Sequence, residues 1–207
     1  MIYYTADLHL GNAEIIKRSN RPFSSVEEMD DCLIRNWNDT VTEEDTVYFL
    51  GDFSNKSGPV PKQYLSKLKG QIHWIRGNHD TGLDHQEDLF EFVESVSDFL
   101  EIDDSGMHVI LCHYPILHFK RGLMIHGHLH AAKLEAWEIL KGLPNVLNCG
   151  VDVNNYRPVT LTELIKNNQD FYENPQKGNG SPIQNKYNHH WKPDFRPLPV
   201  KNSKETL

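Results

Sequence analysis

The stretch Ile72-His73-Trp74-Ile75-Arg76-Gly77-Asn78-His79-Asp80 (IHWIRGNHD, residues 72–80) carries the pattern on which the fold turns. Ile72 to Ile75 has the apolar, β-favouring character of a buried strand. It runs into a glycine followed by an amide, an imidazole and a carboxylate, a tight polar turn rich in ligand-type groups. Two upstream segments repeat the design: Ile2 to Ala6 ends at Asp7, and Thr46 to Leu50 ends at Gly51-Asp52. Downstream, Val109 to Cys112 ends at His113. Each strand delivers a reactive side chain at its carboxyl end, the rim where open α/β folds hold their ligands.

Helical stretches separate the first three strands. One covers about Ser25 to Asn38, with Val26, Met29, Leu33 and Trp37 on one face, and another about Pro61 to Leu68. Alternating strands and helices predict an α/β layered fold. After Phe90 the chain is strand-rich, with Asp98 to Ile102, Met107 to Cys112, Leu123 to Ile125 and Val146 to Cys149, then a last helix near Leu161 to Asn167. A second sheet packed on the first follows. The domain is expected to span 1–170, leaving 171–207 as an irregular C-terminal arm rich in Pro, Asn, Gly and Lys. Tyr187, Trp191 and Phe195 give that arm anchors for packing on the domain or on a second copy of the chain.

At 207 residues, with 38% hydrophobic and 24% charged residues, the composition is that of a globular domain with a substantial core. No run of roughly 18 apolar residues is present to span a bilayer. The N-terminus, MIYYTADLHLGN, lacks the basic start and apolar run of a secretory signal, and the expected location is the cytoplasm. Cys32, Cys112 and Cys149 are widely spaced and form no metal or redox pair. A formal charge of -8 argues against broad nucleic-acid binding, leaving nucleic acid only as a substrate. Twelve histidines are the unusual feature, five of them from His113 to His130.

A set of Asp, Asn and His donors suits borderline divalent cations, which accept neutral imidazole as well as oxygen. In extended backbone Asp7 and His9, two apart, point the same way and reach one ion. Asp52 can bridge two ions with its two oxygens. Asn78, His79 and Asp80 share one turn, and His113, His128 and His130 add three imidazoles. Taken singly, Asp-x-His and Gly-Asp are common turn or capping features. Five such blocks in order, each at a strand end, are not.

The ordered blocks Asp7-x-His9, Gly51-Asp52, Gly77-Asn78-His79-Asp80, His113 and Gly127-His128-x-His130 resemble those of the calcineurin-like metallophosphoesterase family. The resemblance implies a four-layer αββα sandwich of two mixed β-sheets flanked by helices. It implies one ion on Asp7, His9, Asp52 and His130, and a second on Asp52, Asn78, His113 and His128. Manganese is the leading choice, with iron, zinc or nickel as alternatives. Two such ions bridged by Asp52 would acidify a shared water, supplying the nucleophile for attack on phosphorus. The family's counterpart of His79 protonates the leaving oxygen, with Asp80 expected to orient it.

Outside the blocks, Asn12, Arg18 and Arg21 are candidate phosphate contacts. A planar guanidinium suits bidentate phosphate binding, and Pro22 stiffens the neighbourhood of Arg21. Asn12 suits a helix cap equally well. His73, His118 and His126 are left outside the metal shell. The favoured substrate is a small phosphodiester or nucleotide-like compound, with a phosphomonoester or phosphoprotein as the alternative. A non-catalytic scaffold and a nucleic-acid-binding role for the arm rank lower. The expected partners are a small phosphorylated substrate and, through the arm, a second copy of the chain.

Overall fold

The computed structural model describes residues 1–54, 62–81, 83, 86–133 and 136–173. Eight strands form two four-stranded sheets. The first holds β1 (Ile2–Thr5), β2 (Thr46–Phe49), β3 (Gln71–Ile75) and β4 (Ser95–Ser97) in that order, all parallel. The second holds β5 (Phe99–Asp104), β6 (Met107–Cys112), β7 (Leu123–His126) and β8 (Val146–Asn148). Its β5–β6 pair is antiparallel, and β6, β7 and β8 are parallel. The expected pair of mixed sheets is therefore corrected to one parallel and one mixed sheet. Five α-helices, α1 (Ala13–Arg18), α2 (Val26–Thr40), α3 (Lys62–Leu65), α4 (Trp137–Leu140) and α5 (Leu161–Glu173), and a 3-10 helix at Glu87–Glu91 complete the described fold.

Period-two alternation sorts the strand residues into three apolar layers. On the first sheet's outer face Tyr3, Val47, Phe49, Ile72 and Trp74 pack with Met29, Leu33 and Trp37 of α2. Its inner face, with Tyr4, Leu50 and Ile75, meets Val109, Leu111, Ile125 and Leu147 of the second sheet. The far face of the second sheet packs Ile110, Met124 and Val146 against Leu140 of α4. The three layers place both sheets between helices. Each of the large α2 side chains contributes about 1.5–3 kcal/mol by leaving water. The indole of Trp37 also donates to the Lys69 carbonyl at 2.8 Å.

Ser25 caps α2, its hydroxyl accepting from the Glu28 N–H, so the helix starts one residue inside the expected Ser25. The expected 61–68 helix is the short α3, and Pro61 lies outside the described residues. Three elements carry no sequence signal: α1 and α4 are one to two turns long, and β4 is Ser-Val-Ser. The last helix runs through residue 170 to Glu173, and the rest of the expected arm, with Tyr187, Trp191 and Phe195, lies outside the described residues. Among the described residues no helix is long and apolar enough to cross a membrane.

One further pairing places the site. Beyond β8 the chain bonds along the free edge of β1, through Ala6 with Gly150 and Tyr4 with Val159. The Val151 N–H donates to the Ala6 carbonyl at 3.1 Å. The segment after β8 thereby lies beside Asp7.

Candidate metal centre

The candidate residues converge where β1, β2, β3, β6 and β7 end. The local backbone is not the extended chain expected for Asp7 to His9. Asp7, His9, Asp52, His128 and His130 all have positive φ, between 50° and 69°. For residues with a Cβ this left-handed region is sparsely populated, although Asp and His enter it more readily than most. The kinks take each side chain out of the strand's alternation and turn it toward the common centre. Two glycines allow the strand-end turns to touch. A Cβ on Gly51 would lie 2.3 Å from the Gly77 nitrogen, and one on Gly77 would lie 2.3 Å from Asp52 Oδ1.

Three overlapping groups of potential ligand atoms result, in each of which the atoms lie within 4.8 Å of one another. Asp7, His9 and His130 form an inner trio. Asp52, His113 and His128 form a second. His9, Asp52 and His79 join the two.

In the inner trio, Asp7 Oδ1 accepts from the His128 N–H at 3.0 Å, while Oδ2 is buried with no hydrogen-bond partner among the described residues. Both ring nitrogens of His9 are likewise buried without one. Such atoms cost several kcal/mol in a dry interior unless a ligand satisfies them. Burial, followed by the neighbouring His130 and Arg21, holds His9 well below the ordinary histidine range, so its imidazole is a neutral donor. His130 stacks on His9 at 5.1 Å and points Nδ1 at Asp152 Oδ2, 2.8 Å away. Burial opposes a proton on His130, yet Asp7 and Asp152 together raise its pKa. The cluster calls for positive charge.

In the second trio, His113 Nδ1 lies 2.7 Å from the Leu50 carbonyl, an acceptor only, so that nitrogen carries the proton and donates it in the hydrogen bond. Nε2 then faces two oxygens, Asn78 Oδ1 at 3.0 Å and Asp52 Oδ2 at 3.5 Å. A lone pair among acceptors is relieved by a cation or by a second proton. His128 Nδ1 also lies against Asn78 Oδ1, at 2.8 Å. Burial and the nearby His113 lower His128 to about 4, leaving it neutral. Asp52 joins the trios: its Oδ2 stands 3.6 Å from His9 Nε2 and 3.5 Å from His113 Nε2. Burial first, with Asp7 and Asp80 nearby, pushes Asp52 up to about 7 against the pull of His113 and the His79 N–H. Orphaned oxygens, neutral imidazoles and an acid that resists ionising fit a divalent cation on each side of Asp52.

Two expected roles are corrected, those of Arg21 and Asp80. Arg21 is no surface phosphate contact: its side chain is 0% exposed. Nε and Nη2 fork onto Asp152 at 2.9 and 3.0 Å, and Nη2 and Nη1 reach the carbonyls of Asp7 (2.6 Å) and Leu8 (2.8 Å). It sits behind the ligands because this buried acid claims it. Asp80 does not turn to His79 but accepts from the Asp52, Phe53 and Gly77 N–H groups and the Trp74 indole, tying two turns together. Asn12 caps α1, accepting from the Glu14 N–H at 3.0 Å, and Arg18 is exposed at the end of that helix. His79 donates its N–H to Asp52 Oδ1 at 2.8 Å, and its ring meets that of His9 edge-on at 4.9 Å. His126 is buried with Nδ1 on the Gly127 carbonyl, and His73 bonds Ser95; neither joins the three groups.

Sequence reasoning passed over Asp152, although it too follows a strand end, two residues after Gly150. It also passed over Tyr114, 47% exposed, whose ring lies 5.1 Å from that of His113 and 4.7 Å from that of His128. Asn148 supports the inner trio by donating to the His130 carbonyl at 2.8 Å.

An α/β sandwich with such a rim of Asp, Asn and His defines a metal-binding hydrolase. The sequence profile of the calcineurin-like phosphoesterase family matches residues 1–197, and the chain belongs to that family. It is thus a phosphoester hydrolase. The chain is 40% identical over 171 residues to the uncharacterized protein MJ1445 of Methanocaldococcus jannaschii, covering 80% of this chain and 89% of that one. It is 30% identical over 162 residues to the Gene 66 protein of Mycobacterium phage L5, covering 62% and 77%. The crystal structure of AQ665 from Aquifex aeolicus, a protein of unknown function, matches with a TM-score of 0.64 at 25% identity, over 80% of this chain and 98% of that one.

Proposed function

We propose that this protein hydrolyses a small phosphodiester or nucleotide-like compound with two divalent ions, manganese foremost. Asp7, His9, Asp52 and His130 hold one ion, and Asp52, Asn78, His113 and His128 the other. The observation that carries this is the position of Asp52 Oδ2, 3.6 Å from His9 Nε2 and 3.5 Å from His113 Nε2. When bound, such a pair supplies the charge that acidifies water and neutralises phosphate oxygens.

The chain's own groups do the rest. Asp152 and the Leu50 carbonyl fix the proton of His130 and His113 on Nδ1, leaving Nε2 free to ligate. Asp80 holds the Asp52 and Gly77 turns at a fixed separation. His79 is half-buried next to Asp52 and supplies the proton that the leaving alkoxide needs. Support for a substrate with an aromatic portion comes from a cleft of about 450 Å³ bounded by Gly77, Thr81 and Tyr114. The exposed Tyr114 ring offers a stacking surface there.

Exhaustive chelation is expected to abolish hydrolysis of bis(4-nitrophenyl) phosphate, and added manganese to restore it. Activity that survives chelation would sink the proposal. A higher kcat/KM on 4-nitrophenyl phosphate than on the diester would move the assignment to a phosphomonoesterase.

A further inference from the structure

The Arg21–Asp152 pair belongs to one trio alone. All five guanidinium N–H donors of Arg21 can be accounted for inside the protein. Two go to Asp152, one each to the carbonyls of Asp7 and Leu8, and one lies 3.4 Å from Met29 Sδ. Both side chains are removed from solvent, at 0% and 1% exposure. Burying an ion pair is not a cheap way to stabilise a fold, and apolar residues of similar volume often do as well. A pair retained in such a place invites a question about what it holds.

It holds three things. Asp152 Oδ2 accepts from His130 Nδ1 at 2.8 Å, which fixes the ring's tautomer and orientation. Arg21 grips the carbonyl of Asp7 and that of Leu8, the residue between Asp7 and His9. Asp7 and His9 have φ of 61° and 52°, a conformation that needs outside support. The second trio is held by other means: His113 by the Leu50 carbonyl, and His128 by Asn78 and Asp7.

We infer that Arg21 and Asp152 are positioning residues for the ion bound by Asp7, His9 and His130, setting the affinity of that position without governing the one built on Asn78, His113 and His128. The inference rests on the two-ion function proposed above. Its consequence is that the two positions can be uncoupled by a mutation that touches no ligand.

The test is manganese titration of the metal-free 207-residue chain, followed by calorimetry and by electron paramagnetic resonance. Wild type is expected to take up two ions with an exchange-coupled spectrum. Asp152→Asn, which keeps the shape and removes the charge, is expected to bind one ion as wild type does. Its other ion should bind 10–100-fold more weakly, with an uncoupled six-line spectrum at one equivalent. Arg21→Lys, which retains the charge but loses the fork, should show the same selective loss. Equal weakening of both positions would mark the pair as general scaffolding and overturn the inference, as would unchanged binding. A wild type that binds fewer than two ions would instead overturn the two-ion function itself. A readout independent of any variant's folding is nitrogen-15 spectroscopy of histidine in the zinc-loaded wild type. His130 should be the Nδ1–H tautomer, and the Nε2–H form would also overturn the inference.

Discussion

The two sides of Asp52 use similar ligands and opposite kinds of support. On the inner side, the His9 ring nitrogens and Asp7 Oδ2 are buried without hydrogen-bond partners among the described residues, and a buried arginine and aspartate brace the trio from behind. On the other, His113, His128 and Asn78 already contact one another, and Tyr114 lies over them half-exposed to solvent. The inner side is buried and braced from behind by the Arg21–Asp152 pair. On the outer side the lone pair of His113 Nε2 faces Asn78 Oδ1 and Asp52 Oδ2, and the exposed Tyr114 ring lies at its edge. The difference suggests a division of labour, in which an ion on the inner side would be fixed by the scaffold and one on the other side would lie toward Tyr114 and the cleft it bounds.

The severest way to break this comparison is to remove the group both sides share. Asp52→Asn keeps an oxygen for the His79 N–H but loses the charge between the trios. It should lower both metal content and kcat, the latter on the order of 10³-fold or more. A variant that retained both ions in elemental analysis would show that the two sides do not meet at Asp52. Next in size is His79→Gln, expected to reduce kcat by about 10²–10⁴-fold with metal content unchanged, as for loss of a proton donor. Because His79 also groups with His9 and Asp52, depletion equal to that of Asp52→Asn would make it a ligand instead.

The five blocks were legible because ligand-type residues at strand ends have few other reasons to recur in order, and the layered fold followed from apolar runs buried on both faces. What sequence hides is direction and distant company. Arg21 looks like a loop cation beside Pro22, and its partner Asp152 lies 131 residues away. Asp80 follows His79 in the chain, yet the tight turn sends its carboxylate back to Trp74, Gly77 and Asp52 rather than to the neighbouring ring. The left-handed kinks at Asp7, His9, His128 and His130 are hinted at only by residue type. β4 is too short and too polar to register against the turn that precedes it.

The smallest expected effect asks how far support for the inner side extends. Asn148, which holds the His130 carbonyl, is itself held by Asn168 of α5, through bonds of 2.7 and 3.0 Å. That helix begins with a reciprocal cap: Thr160 donates its N–H and hydroxyl to Glu163 Oε2, and Glu163 pairs with Arg157. The Arg157 bond, then Thr160 against burial, lowers the Glu163 carboxyl from 4.5 to about 2. A depressed acid stabilises the fold fully above its unfolded pKa of 4.5, and the contribution fades as pH falls from there through about 2. Because Glu163 is 39% exposed, screening keeps the effect small. Glu163→Gln should therefore cost about 0.5–1 kcal/mol in urea unfolding at pH 7, and less at pH 3.5. If the inner trio depends on α5 as the asparagine chain implies, the variant's first loss of manganese on mild heating should come from the position on Asp7, His9 and His130. Simultaneous loss of both ions would mean that α5 supports the domain as a whole, and that the asymmetry of the centre ends at Asp152.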